Sequence, residues 1–178
     1  MNPLRRLMFV AAASLAGLCT AWVPAAAAEP TGVKLPAFER MTLANGAEVM
    51  LMPKRDTPLV ALNVVVRGGA LADPPGREGT AALVADLVQK GAGSRDAAQF
   101  AEAIEGAGGE LSVVAGAESL ELGASFLSRD VGLMVELASD ALLRPTMAAD
   151  QFGKVRELAV QSIAAAKDAD PRALVGSY

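Results

Sequence analysis

Arg67-Gly68-Gly69-Ala70-Leu71-Ala72-Asp73-Pro74-Pro75-Gly76-Arg77-Glu78-Gly79-Thr80-Ala81-Ala82-Leu83-Val84-Ala85-Asp86-Leu87-Val88-Gln89-Lys90-Gly91 is the stretch on which the fold of this chain turns. A glycine pair closes an apolar run, a Pro-Pro-Gly loop follows, and Leu83, Val84, Leu87 and Val88 then recur at helical spacing. The pattern predicts a strand that stops at Gly68-Gly69 and a helix over residues 80–90 with Gly91 as its C-terminal cap.

Working outward, residues 59–66 form a β-branched apolar run long enough for a strand buried on both faces. Before it, residues 40–43 and 47–52 flank Asn45-Gly46, the dipeptide that most strongly signals a hairpin. Residues 29–37 hold Pro30, Gly32 and Pro36 and read as an irregular lead-in. After Gly91, Asp96 and Gln99 stand at capping-box spacing ahead of Phe100 and Ile104, so a second helix is expected to stop at Gly106, Gly108 and Gly109. Residues 111–115 and 120–126 read as paired strands, the second with Leu120, Leu122, Ala124 and Phe126 on one face. Two further helices are predicted. One covers residues 131–143, with Met134, Leu137 and Ala141 inward and Pro145 forbidding continuation; the other covers 148–167, with Phe152, Val155, Ala159 and Ile163 inward. This order of elements implies an α+β fold, a largely antiparallel sheet with helices packed on one side.

At 178 residues the chain is about one domain. It is 52% hydrophobic but has one Trp, one Tyr and five Phe, so its core is expected to be aliphatic. Arg5 and Arg6 precede an apolar run over residues 7–18, and Ala26, Ala27 and Ala28 offer a cleavage site before Glu29. Residues 1–28 therefore read as a secretory signal peptide, and the protein is expected to be exported, periplasmic or secreted. Thr20 and Pro24 break the run short of the roughly 20 apolar residues of a membrane span, so an uncleaved anchor is the weaker reading. Cys19 leaves with the leader, because Leu18 is bulky where a lipidated cysteine wants a small residue before it. The mature domain, residues 29–178, then has no cysteine, and burial rather than disulfides must hold it. The formal charge of −4 becomes more negative once Arg5 and Arg6 are gone, which argues against nucleic acid as a partner.

The chain contains no histidine. A Ser-His or Cys-His nucleophile is therefore excluded. Gly106, Gly108 and Gly109 lack the order of strand, lysine-bearing loop and helix that a phosphate loop requires, so they read as a turn before a strand. Asp73 and Glu78 could be imagined as an acid and base pair, yet nothing in the sequence raises either pKa, and a solvated loop is the better reading.

Leu43-Ala44-Asn45-Gly46, the glycine pair after an apolar strand, Gly79 before the first helix, Lys90-Gly91 after it and Gly108-Gly109 before a hairpin together resemble the N-terminal domain of the pitrilysin and insulinase family of zinc peptidases. The resemblance covers nearly all of residues 39–178 and implies a half-domain like that of the processing peptidases, truncated at its C-terminal side. In active members the helix carries His-x-x-Glu-His, two imidazoles binding zinc and a glutamate acting on its water. By that resemblance the first histidine falls on Ala82, the glutamate on Ala85 and the second histidine on Asp86, while the third ligand, a later glutamate, falls on Ser162 before Ile163. All four positions have departed. Catalytic residues, a bound metal and any other cofactor are accordingly expected to be absent. Asp86 with Glu78 or Asp73 offers only hard oxygen ligands suited to calcium or magnesium, and a solvated aspartate is the simpler reading.

The resemblance further implies a pseudopeptidase: a non-catalytic subunit that binds extended peptides, or serves assembly, beside a zinc-bearing, histidine-containing subunit of the same family in a heterodimer. An exposed sheet edge is its expected peptide-binding element, since strand addition uses main-chain groups rather than particular side chains. The alternatives are a purely structural subunit of an envelope complex, or a peptidase-family gene fragment without independent activity.

Overall fold

A computed structural model describes residues 36–169. The leader, the Pro30 and Gly32 part of the lead-in, and Asp170-Pro171 lie outside the described residues.

The chain divides after Pro53 into two units. In the first, β1 (Glu39–Thr42) and β2 (Glu48–Leu51) pair antiparallel with Glu39 opposite Leu51. Their connection is the expected Asn-Gly turn. Gly46 N–H donates to the Leu43 carbonyl, the Asn45 side chain accepts from Ala47 N–H, and Gly46 takes φ 84°, where a Cβ is disfavoured.

The second unit runs β3 (Leu59–Arg67), α1 (Thr80–Leu87), α2 (Ala97–Gly106), β4 (Glu110–Ala115), β5 (Ser119–Leu127), α3 (Val131–Leu143) and α4 (Ala149–Ala169). Its strands form an antiparallel sheet in the order β3-β5-β4, with Asn63 opposite Gly123 and Gly123 opposite Ser112. One face of this sheet carries Leu122, Ala124 and Phe126 of β5 and Val113 of β4, all buried. Against that face pack Ala85 and Val88 around α1, Phe100 of α2, and Met134, Leu137, Ala138 and Ala141 of α3. The opposite face, with Ala61, Asn63, Ser112 and Glu121, is exposed. The architecture is thus α+β, with helices on one side of an antiparallel sheet.

Local chemistry explains the helix ends. Asp96 accepts from Gln99 N–H at 2.8 Å while the Gln99 side chain accepts from Asp96 N–H at 3.1 Å, the reciprocal capping box predicted from their spacing. Helix α3 spans the residues expected and stops before Pro145, which can neither donate to the helix nor leave Arg144 helical.

Three expectations are corrected. Strand β3 is not buried on both faces: Val60, Leu62 and Val64 are half-buried, whereas Val65 is 62% exposed, because β3 is an edge strand and only one face of the sheet has a helical layer. Helix α1 ends at Leu87 rather than at residue 90, and Gly91 is no cap. Its carbonyl instead accepts from both the backbone N–H and the hydroxyl of Thr146, so it belongs to a cross-connection between distant loops. Of the four residues expected to face inward from α4, only Val155 is buried; Ala159 is half-buried and Phe152 and Ile163 are exposed.

The cross-connection centres on Asp140, 3% exposed near the end of α3. Its carboxylate accepts from the Arg144 guanidinium and lies 3.6 Å from that of Arg95, which also pairs with Glu136 at 2.8 Å. Gly93 lies so close to this carboxylate that any Cβ would overlap it, and its N–H donates to the Arg144 carbonyl. A buried carboxylate held this way strongly resists loss of its partners. Asp140→Ala should lower stability by about 3 kcal/mol, since it leaves Arg95 without its buried counter-charge; a urea unfolding midpoint close to that of the parent would show that the contact is dispensable.

Candidate functional site

Helix α1 is started by a side chain seven residues upstream of it. Gly79, at the N-cap, is left-handed with φ 90° and has no side chain to offer. Asp73 takes the role: its two carboxylate oxygens accept from Gly79 N–H at 2.7 Å and Ala81 N–H at 2.8 Å. Two helical donors are satisfied and a negative charge sits at the positive end of the helix. Thr80 adds a hydroxyl bond to the Arg77 carbonyl at 2.6 Å.

Glu78, fully exposed, accepts from Gly76 N–H at 3.0 Å. Donation by its own backbone N–H and by that of Gly76 holds the carboxyl below its ordinary pKa, against smaller upward pushes from desolvation and from the Asp73 charge. With a depressed folded pKa, its favourable contribution is present above the ordinary glutamate value and fades as pH falls through the folded one. Asp73 and Glu78 are thus loop and helix supports. A carboxyl biased toward its ionised form is a poor general acid at neutral pH.

Along α1, Ala82 and Asp86 are exposed one turn apart, while Ala85 is 2% exposed and belongs to the core cluster. Helix α4 packs beside α1 and carries Ser162, which is exposed and donates its hydroxyl to the Ala159 carbonyl of its own helix at 2.8 Å. Ala82 has no donor atom for a metal, the Ser162 hydroxyl is a weak and already engaged ligand, and of these positions only Asp86 offers a carboxylate. These residues do not suit a zinc ion, which takes three or four nitrogen, sulfur or carboxylate ligands. Among the described residues no three His, Cys, Asp or Glu side chains gather closely enough to hold a metal ion, so Asp86, Glu78 and Asp73 do not converge.

One polar residue of this region was not singled out by the sequence. The Gln89 carboxamide donates to the Ala85 carbonyl at 2.8 Å and to the Val113 carbonyl of β4 at 3.0 Å. Its signal was a glutamine one turn beyond buried Ala85, on the helix face that should meet the sheet.

A model of the insulinase family, peptidase family M16, matches residues 48–176, from β2 through α4 and beyond. The chain belongs to the insulinase family. An uncharacterised zinc protease of Rickettsia bellii (strain RML369-C) is 26% identical over 131 residues, covering 74% of this chain and 32% of that protein. Among solved structures, the peptidase M16 inactive domain from Pseudomonas fluorescens superposes with a TM-score of 0.68 at 20% identity, covering 73% of this chain and 32% of that one. A protease from Helicobacter pylori gives the same TM-score and identity, with 75% and 32% covered. The chain therefore spans about a third of the length of the insulinase-family relatives it matches, and the structural likenesses establish the shared fold.

Two measurements follow. Asp73→Ala should destabilise the domain by about 1 kcal/mol through loss of the helix cap, read from a thermal or urea unfolding curve. The triple variant Ala82→His, Asp86→His and Ser162→Glu should bind one zinc per chain where the parent binds none, because it places two imidazoles four residues apart on the exposed side of α1 and a carboxylate on α4, the helix packed beside it; metal analysis after dialysis checks it, and no uptake would mean that these are not the family's ligand positions.

Proposed function

We propose that this chain is the non-catalytic, pseudopeptidase-type member of an insulinase-family pair, binding extended peptide or supporting assembly beside a subunit that carries the zinc. The observation that supports it most is the state of α1. The helix keeps its cap, its packing and its place against β4 and α4, while its exposed ligand positions hold Ala82 and Asp86 and the general-base position, Ala85, is closed inside the core. A glutamate at Ala85 would have to place a carboxylate among apolar neighbours, at a cost of several kcal/mol. Scaffold without chemistry favours binding. The likeness to a Pseudomonas fluorescens domain described as inactive agrees with this.

Peptide addition is assigned to the outer edge of β4. Within its unit, β4 and β3 are the edge strands, and β4 is the one that α1 packs against. A peptide pairing with β4 would run alongside the helix that carries the former catalytic positions, recognised through its main chain. Exposed Phe152, Leu158, Val160 and Ile163 on α4 favour further protein contacts as well, which is the feature that supports a purely structural role. Export through the residue 1–28 leader would place the pair in the periplasm or outside the cell.

The test is capture of the full chain from the cell envelope under gentle conditions, followed by mass spectrometry and assay of cleavage of unstructured peptides. A histidine-bearing relative is expected in the captured fraction, with chelator-sensitive cleavage that the isolated chain lacks. Chelator-sensitive cleavage by the isolated chain would refute a non-catalytic role, and a chain captured without such a relative would shift the assignment to a structural one.

A further inference from the structure

We propose that Gln89 is a side-chain latch on the open edge of β4, occupying the main-chain acceptor that an incoming peptide strand needs and so setting the affinity of that edge. The proposal rests on the reading of β4 as the peptide-binding edge.

The β4-β5 hairpin shows which groups face outward. Gly116 N–H donates to the Ser119 carbonyl at 2.8 Å, so Gly116 and Ser119 form a hydrogen-bonded pair. In an antiparallel ladder such pairs alternate with pairs whose N–H and C=O point away from each other. With Val114 opposite Glu121 and Ser112 opposite Gly123, these two are the next bonded pairs, and Leu111, Val113 and Ala115 direct their main-chain groups to the far side of β4. No other strand pairs there among the described residues. An open edge of this kind is a template for strand addition.

Val113, at the middle of that edge, is not free. Helix α1 leaves α geometry after Leu87, and the chain turns so that Lys90 N–H donates to the Leu87 carbonyl. The Ala85 carbonyl is then met by the Gln89 side chain, and the second N–H of the same carboxamide reaches Val113. A primary amide has two N–H donors, and here one closes the end of the helix while the other covers the strand. Gln89 also stands at the wall of a groove of about 250 Å³ between α2 and the start of β4, lined further by Phe100, Ile104, Gly109 and Leu111. A peptide lying in this groove and continuing along β4 meets Gln89 at Val113, and full pairing requires the amide to swing away.

The full chain and its Gln89→Met variant, which keeps side-chain length but removes both donors, are titrated into a fluorescein-labelled decapeptide of alternating Thr and Val with a terminal lysine. A copy with proline at its centre serves as the control that cannot pair. Gln89→Glu, which also lacks the donor, is the second variant should the first fold poorly. The expected result is binding about fivefold tighter by the variant, the size of one net hydrogen bond. The wild-type Gln89 side-chain amide signals should also move in a ¹⁵N spectrum when peptide binds, and the proline control should not bind. Equal affinity with unmoved Gln89 signals overturns the latch while leaving β4 as a binding edge. No binding by either protein overturns the edge assignment itself, and the latch with it.

Discussion

The carboxylate of Asp140 is the constraint around which the second unit is organised. It is almost fully buried, and it faces the guanidinium groups of Arg95 and Arg144, one from the segment after α1 and one from the end of its own helix. Around it, Gly93 N–H bonds to the Arg144 carbonyl and Thr146 bonds twice to the Gly91 carbonyl. The segment between α1 and α2 is thereby tied to the segment between α3 and α4. Because an unpaired buried charge is so costly, this arrangement has few alternatives, and it fixes where α1 leaves the sheet and where α4 begins.

With those connections set, the helical layer covers one face of the three-stranded sheet and leaves the other uncovered. Phe126 shows how close the layers come, since its ring fills the space that a side chain at Gly109 would need. The uncovered face, the edge strand β3 and the outer turns of α4 expose Leu59, Val65, Val66, Leu158 and Ile163.

Helix α1 has supports that are independent of any metal. Its N-terminus is held by Asp73, its buried side by Ala85 and Leu87, and its end by Gln89, none of which depends on a metal. Substitutions at the exposed positions Ala82 and Asp86 would leave all of these supports in place, whereas a glutamate at Ala85 would disturb one of them. A shared fold does not carry a function by itself, and function has to be argued from the residues at the site.

Much of this was legible in the residues themselves. The capping pair Asp96 and Gln99, the Asn45-Gly46 turn, the alternation of Leu120 to Phe126 and the stop before Pro145 are short-range patterns, and each element they predict is present. The absence of histidine and the residues at positions 82, 85, 86 and 162 are likewise plain in the sequence. What sequence could not decide depends on neighbours distant in the chain. Apolar pattern alone does not say whether a second layer exists to cover it, so β3 and α4 were expected to be more buried than they are. Gly91 has the look of a helix cap, yet its carbonyl answers to Thr146, 55 residues on. The position of Gln89 one turn after Ala85 was visible in sequence, but its partner Val113 was not, since only the packing of α1 against β4 brings the two within reach. Local geometry and composition were thus determined by the chain itself; burial, loop ties and the state of the sheet edge were decided by tertiary structure, because each requires a partner that no local pattern specifies.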